Sequence, residues 1–180
     1  MKITQYGKEL DVSKYNWDKE TKTFSTKESN LVLDFSDYDG ITFKTGANCT
    51  FNTGDDCTFN TGSGCTFKTG PDCTFNTGDS CTFFDTGSDC NFKTGSNCTF
   101  ETSYGCTFNT GPNCTFHTGY NCFCIRYDVK GITEIPEGKR IKLNNHTISG
   151  YTFIDEPKIV SCAGKVVEID GKKYKLVESN

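Results

Sequence analysis

The sequence is short of the aliphatic residues that fill most protein interiors. Residues 45–121 contain no Leu, Ile, Val or Met, and the whole chain has one Met and one Trp. Its hydrophobic content of 34% lies below the usual share of roughly 45–50%. An ordinary aliphatic core is therefore excluded over these residues, and so is a standard helical domain. The chain has instead 15 Phe, 12 Cys and 18 Gly among 180 residues.

Long apolar runs are also missing. No stretch reaches the roughly 18 apolar residues of a membrane-spanning helix, and the first ten residues carry no run of signal-peptide length. We therefore expect no membrane contact and a cytoplasmic location, where thiols stay reduced and 12 cysteines do not imply six disulfides. The formal charge of −4 gives no general attraction to nucleic acid. Nucleic-acid binding would therefore have to be local, and direct contact stays open.

An eight-residue repeat dominates what is present. The unit Cys-Thr-Phe-x-Thr-Gly-x-x begins at Cys49 and runs nine times, with one insertion at Phe83–Phe84 and one lost Gly, at Ser103. Residues 41–46 form a further copy with Ile in the Cys place. A register held this long is typical of a solenoid, in which each repeat packs only against its neighbours.

The order of residues inside one unit predicts a strand followed by a turn. Cys49, Phe51 and Thr53 alternate with Thr50 and Asn52, so the first three should point inward and the other two outward. Gly and two small or acidic residues supply the turn, because Gly accepts positive φ and Asn or Asp tolerates it. Stacked coils then place Phe on Phe and Cys on Cys.

We therefore predict an all-β fold, a parallel β-solenoid of octapeptide repeats capped at both ends. Caps are needed because an open solenoid exposes unpaired strand edges. Asp170-Gly171, between two alternating runs, is a strong hairpin signal. The predicted segments are an N-terminal β cap over 1–32, the solenoid over 33–124 and a small antiparallel β domain over 125–180. The N-terminal cap should contain a hairpin that carries Tyr15, Trp17 and Phe24. The strands predicted in the C-terminal domain are 132–135, 140–143, 151–154, 158–160, 166–169 and 173–177.

The number of octads in one coil is open between two and three, and three chains could also intertwine with each octad forming one side of a shared prism. Taken in threes, the variable outward residues place Lys44, Lys68, Lys93 and His117 in one column. This pattern favours a three-sided coil, although like charges on neighbouring strands repel.

The chemistry of the sequence favours binding over catalysis. Neither His117 nor His146 lies beside a nucleophile, and the outward acids Asp85 and Glu101 are single. Cysteines eight residues apart do not match zinc-ligand spacing. We expect no enzyme activity and no cofactor. The candidate binding residues are Lys44, Lys68, Lys93, His117, Asp85 and Glu101, while a redox or metal role for Cys122, Cys124 and Cys162 stays open.

The octad array lies between a short N-terminal cap and a terminal hairpin at residues 167–174. In this arrangement the chain resembles uncharacterised proteins of tailed phages, giant viruses and gut metagenomes. The chain is more weakly similar to octapeptide-repeat phage tail spikes. The resemblance implies a viral accessory protein in the cytoplasm of a bacterial host, and transfers no catalytic residue.

The resulting hypothesis is a non-enzymatic protein that binds a protein or ribonucleoprotein partner through a rigid solenoid surface, with a host defence complex such as a CRISPR effector as the plausible target. The alternative is a structural spike or fibre component. A spike would be a homotrimer, whereas the binding hypothesis also allows a monomer. Ice binding is a minor alternative, which the two Thr of each octad suggest. It is not favoured, because Thr50 and Thr53 should face opposite sides of the strand.

Overall fold

Short β-strands form nearly all the regular structure of this computed structural model, which describes residues 1–154, 166–169 and 172–175. One 3-10 helix, Val12–Lys14, lies near the N-terminus. The strands are β1 (Lys2–Gln5), β2 (Lys8–Glu9), β3 (Tyr15–Asp18), β4 (Thr23–Thr26), β5 (Leu31–Phe35), β6 (Thr42–Lys44), β7 (Thr50–Thr53), β8 (Thr58–Asn60), β9 (Thr66–Lys68), β10 (Thr74–Asn76), β11 (Thr82–Thr86), β12 (Asn91–Lys93), β13 (Thr99–Thr102), β14 (Thr107–Thr110), β15 (Thr115–His117), β16 (Phe123–Arg126), β17 (Ile132–Glu134), β18 (Arg140–Leu143), β19 (Tyr151–Phe153), β20 (Val166–Ile169) and β21 (Lys172–Lys175).

Successive octads alternate between two sheets. Sheet A has ten strands in the order β2-β1-β5-β7-β9-β11-β13-β15-β18-β19, and sheet B has nine in the order β3-β4-β6-β8-β10-β12-β14-β16-β17. Within the array, neighbouring strands are parallel and one coil of two octads apart, as where Phe51 pairs with Phe67. The predicted parallel β-solenoid is confirmed.

The coil has two sides, so the favoured three-sided geometry is wrong. The phenyl rings of Phe51 and Phe59, on facing sheets, lie 5.3 Å apart edge to face, while Phe51 and Phe67, within one sheet, stack at 5.0 Å. Two rings per coil therefore fill the interior. A third side would separate the rings and leave space that no other apolar residue of the repeat could fill. Each octad pairs with octads of its own chain, so the intertwined prism is not the arrangement found.

The inward and outward positions follow the predicted alternation. Cys49, Phe51 and Thr53 are buried, and Thr50 is exposed. The inner Thr hydroxyl turns back to the corner, as where Thr69 Oγ1 donates to the Gly70 carbonyl at 3.2 Å. Phe and Cys thus form the continuous interior that the sequence predicts.

The corners use glycine for a different reason from the one predicted. Positive φ falls on the last corner residue, such as Asp56 or Asn48, and not on the octad glycine. A Cβ at Gly87 would lie 2.3 Å from the Pro71 nitrogen, because the neighbouring coil crosses directly against it. The octad glycine is therefore required by close approach of the backbones.

Antiparallel strands close both ends of the array. At the start, β3 and β4 form the predicted hairpin, and Trp17 lies edge-on to Phe35 with ring centroids 6.1 Å apart. At the other end, β17 pairs with β16 and β18 with β15, which buries Ile141 over Phe116. The hairpin strands β20 and β21 also pair antiparallel. The predicted strand at 158–160 lies outside the described residues, and the domain boundaries stay a prediction.

Candidate binding surface

The two-sided coil divides the six candidate residues between two faces. Lys68, Asp85, Glu101 and His117 follow one another up sheet A, whereas Lys44 and Lys93 lie on sheet B. The predicted column of three lysines is therefore wrong, because it depended on a three-octad coil. Within sheet B, Asn60 and Asn76 separate Lys44 from Lys93.

Each acidic side chain of the sheet A column pairs with a basic one. Lys68 Nζ lies 3.0 Å from the Asp85 carboxylate, and an Arg140 nitrogen lies 2.9 Å from that of Glu101. His117 lies between them, paired in register with Glu101 on one side and with Arg140 on the other. Both ion pairs are substantially exposed to solvent, so each contributes little to stability. The four charged side chains neutralise one another along the column.

The insertion noticed in the sequence is a bulge on the outer face of sheet A. The register of β11 against β13 shifts between Phe83 and Thr86, so Phe84 and Asp85 together stand opposite one residue. Asp85 takes a left-handed φ of 53°, and Phe84 is 52% exposed. A β-bulge re-aims side chains in this way and is common beside functional sites.

A groove of about 420 Å³ runs beside the bulge, which we call the bulge groove. It is lined by Phe84, Asp85, Thr86, Glu101, Thr102, Ser103, His117, Thr118 and Gly119. Three of the six predicted residues thus come together there. The buried hydroxyl of Thr86 has no hydrogen-bond partner, and among the described residues only Thr77 shares this condition. Most octads make this hydrogen bond, and it is missing both at the bulge and at Thr77, in an uninterrupted octad.

Two edges connect the sheets, and they differ in charge. We define the acidic edge as the corners from sheet A to sheet B, at 54–56, 70–72, 87–89, 103–105 and 119–121. The opposite edge consists of the corners at 46–48, 62–64, 78–80, 95–97 and 111–113. The acidic edge carries the exposed residues Asp55, Asp56, Asp72 and Asp89, and the opposite edge only Asp79.

Charge accumulates on the acidic edge without compensation. Loss of hydration, and then the negative charge of Asp39 and other neighbours, raises the pKa of Asp55. No described Lys or Arg forms an ion pair with any of the four edge carboxylates. Lys22 Nζ reaches the Asp39 carbonyl at 3.3 Å, below these corners. The stretch from Asp55 to Asp89 is therefore open to a cationic partner.

Two tyrosines stand at the upper end of the acidic edge. The rings of Tyr104 and Tyr120 stack with centroids 5.0 Å apart and planes 4° from parallel. Tyr104 is 40% exposed and Tyr120 49%. They directly follow Ser103 and Gly119, which line the bulge groove. The groove, the tyrosine pair and the acidic edge therefore form one continuous surface.

The cysteines lie inside this surface and contribute structure to it. The eleven described cysteines are free and buried, and Cys162 lies outside the described residues. Cys122 continues its thiol column, whereas Cys124 occupies a Phe position opposite Phe108, where burial raises the pKa of its thiol to about 11. Among the described residues, no group of three or more His, Cys, Asp or Glu is placed to hold a metal ion.

The repeat pattern alone does not identify the other members of this surface, which are Phe84, Tyr104, Tyr120, Arg140 and the edge aspartates. Phe84 had a visible signal, because the insertion interrupts a regular array. The aspartates fall on one edge only if each coil contains two octads. A three-sided coil would distribute them over different edges. Arg140 lies far from the array in sequence and gave no signal.

In comparisons with known proteins, no family model, no curated protein and no solved structure matches this chain. The resemblance to phage and giant-virus proteins therefore stays a prediction. No helix in the described part of the chain has the length and apolar character needed to cross a membrane.

Proposed function

We propose that the chain is a non-enzymatic binding protein that holds a protein partner on sheet A at the bulge groove. The proposal depends chiefly on the inserted Phe84, which is half exposed where other octads present a polar side chain. Interfaces between proteins are enriched in aromatic residues, which act as anchors when a partner buries them.

Folding alone gives no reason to keep the insertion. Without Phe84 the segment would read Cys-Thr-Phe-Asp-Thr-Gly-Ser-Asp, a regular octad. The inserted residue instead exposes an apolar ring, and it lies beside the unpaired Thr86 hydroxyl; an unpaired buried hydroxyl destabilises a fold by about 1–3 kcal/mol. A role in binding explains why such a residue is present.

Deleting Phe84 separates a binding role from a structural one. Tagged wild-type protein, the deletion and Phe84→Ser would be used to isolate native complexes from cells that make the protein, with mass spectrometry to identify what is captured. The matched control is Phe123→Ser, which removes an outward Phe, 41% exposed, from sheet B. We expect a partner that is kept by the control, weakened by Phe84→Ser and lost on deletion.

Two results would contradict the proposal. One is a partner captured equally well by the deletion variant, and the other is the absence of any partner at low and moderate salt. Light scattering adds an independent check, since a trimer resistant to heat and detergent would favour a structural spike. The resemblance to phage proteins makes a host defence complex the first partner to test.

A further inference from the structure

The tyrosine pair and the acidic edge have complementary preferences for one kind of side chain. A guanidinium group stacks on an aromatic ring and also binds carboxylates through two parallel hydrogen bonds. A lysine ammonium is a compact, strongly hydrated charge that does neither as well. The surface offers both features within adjoining coils.

We propose that the partner presents arginine side chains, one stacking on the tyrosine pair and others pairing with the aspartates of the acidic edge. This inference rests on the proposed function, since the same partner would bury Phe84 in the bulge groove. It names the chemistry that the partner must carry, a protein segment bearing several arginines.

The geometry suits an extended segment. Neighbouring coils are about 4.8 Å apart, so the four corner spacings between Asp55 and Tyr120 span roughly 19 Å. Asp55, Asp72 and Asp89 belong to three successive corners, and Tyr104 and Tyr120 to the next two. A peptide of about six extended residues covers this length. Alternate side chains of such a peptide can face the edge.

The electrostatics favours a cation over a neutral polar group. The four carboxylates are exposed, repel one another and have no ion-pair partner among the described residues. The sheet A column, in contrast, already neutralises itself through Lys68 and Arg140. A basic segment would therefore gain most on the edge, while the groove supplies apolar contact.

Two synthetic peptides of equal charge test the inference directly. The probes are N-acetylated (Gly-Arg)5 and (Gly-Lys)5 amides, titrated into the full chain labelled with 15N and followed by amide chemical shifts. We expect shifts centred on residues 103–105 and 119–121, and binding of the arginine peptide about threefold tighter than that of the lysine peptide, as a cation–π contact predicts.

Variants assign the effect to its two parts. In Tyr104→Leu with Tyr120→Leu, the arginine peptide should lose more affinity than the lysine peptide, so that its advantage narrows to what pairing with the aspartates gives. In Asp72→Asn with Asp89→Asn, both peptides should weaken by about threefold or more. The matched control, Asp79→Asn, removes one charge from the opposite edge and should leave both affinities unchanged.

Equal binding of the two peptides to the wild type would overturn the inference, as would equal weakening by Asp79→Asn. These results are distinguishable from failure of the proposed function. If deletion of Phe84 abolishes capture of the natural partner while the peptides do not discriminate, the binding function stands and the arginine preference falls. If the deletion has no effect on capture, the proposed function itself falls.

Discussion

The acidic edge and the opposite edge share one backbone geometry and differ in chemistry. At both, the last corner residue has positive φ and its amide donates to the next coil, as Asp56 does to Pro71 at 3.1 Å and Asn48 to Ser63 at 2.9 Å. Either sequence therefore satisfies the fold. Because folding tolerates Asn, Ser and Gly at these corners, four open aspartates on one edge are not a folding requirement.

The edges also differ at their upper ends. Arg126 occupies an inner Thr position next to the opposite edge, where it forms a buried ion pair with Asp128 and donates to the Ile148 carbonyl at 2.7 Å. Tyr127 adds a hydroxyl contact of 2.9 Å to Ser96. The acidic edge ends instead in the exposed Tyr104 and Tyr120. One edge is closed by structure and the other is left accessible.

The largest expected effect comes from breaking the closed end. Asp128→Asn leaves the Arg126 guanidinium, 2% exposed, buried without its counter-ion, which should lower the free energy of unfolding by about 3–5 kcal/mol. Asp89→Asn on the acidic edge is the control and should change it by less than about 0.5 kcal/mol. Chemical denaturation at pH 7 compares them, and equal losses would mean that the two edges are not structurally distinct.

The same ion pair predicts the response to acid. Desolvation alone would raise the pKa of Asp128, but hydrogen bonds from Arg126 and from the Thr147 amide outweigh it and lower the pKa below its ordinary 3.8. A lowered pKa contributes stability that is complete above the unfolded value and is lost as pH falls through the folded value. Stability measured from pH 6 to 2 should therefore fall below about pH 4 by more in the wild type than in Asp128→Asn.

A smaller effect is expected where coils touch most closely. Gly87→Ala would bring a Cβ within 2.3 Å of the Pro71 backbone and should destabilise the fold by about 1–3 kcal/mol. Gly62→Ala on the opposite edge meets Ala47 at 3.0 Å and should destabilise it less. Thermal unfolding of the two variants tests whether neighbouring coils approach more closely at Gly87 than at Gly62. The reverse order would show that they do not.

Removing the bulge should have the opposite sign. Deletion of Phe84 lets the Thr86 hydroxyl make the hydrogen bond of a regular octad, so the free energy of unfolding should rise by about 1 kcal/mol. Phe84→Ser keeps the bulge and should give no such gain. A destabilised deletion variant would mean that the insertion has a structural purpose.

The smallest effect concerns charge alone. Asp72→Asn with Asp89→Asn relieves repulsion on the acidic edge and should raise the unfolding free energy by a few tenths of a kcal/mol at low salt. The gain should vanish in about 1 M salt, where charges are screened within about 3 Å. Asp79→Asn should give no gain at either salt concentration. A gain that persists in salt would point to something other than repulsion.

The sequence predicts the solenoid because Phe and Cys at every eighth residue leave no other interior. It does not predict the number of sides, since strand and corner lengths are the same for two or three. That choice depends on how far rings such as Phe51 and Phe59 reach across the core. The outward lysines suggested three sides, but solvated charges do not determine the cross-section.

The candidate surface could be predicted only in part for the same reason. Outward positions in the repeat identify Asp85, Glu101 and His117 as candidates, and all three line the bulge groove. Their ion pairs could not be foreseen, because they depend on which octads become neighbours and on Arg140 from a distant strand. The exposed Phe84 follows from how the bulge relaxes, which the repeat alone does not determine.

The 16-residue spacing between paired strands makes the protein a ruler that can be lengthened in fixed steps. Duplicating residues 57–72 would add one strand to each sheet and about 4.8 Å to the rod. It would also add one corner to each edge without changing any side chain of the interior. Successive duplications would therefore lengthen the row of exposed carboxylates in equal steps, so that its length could be compared with the length of a bound partner.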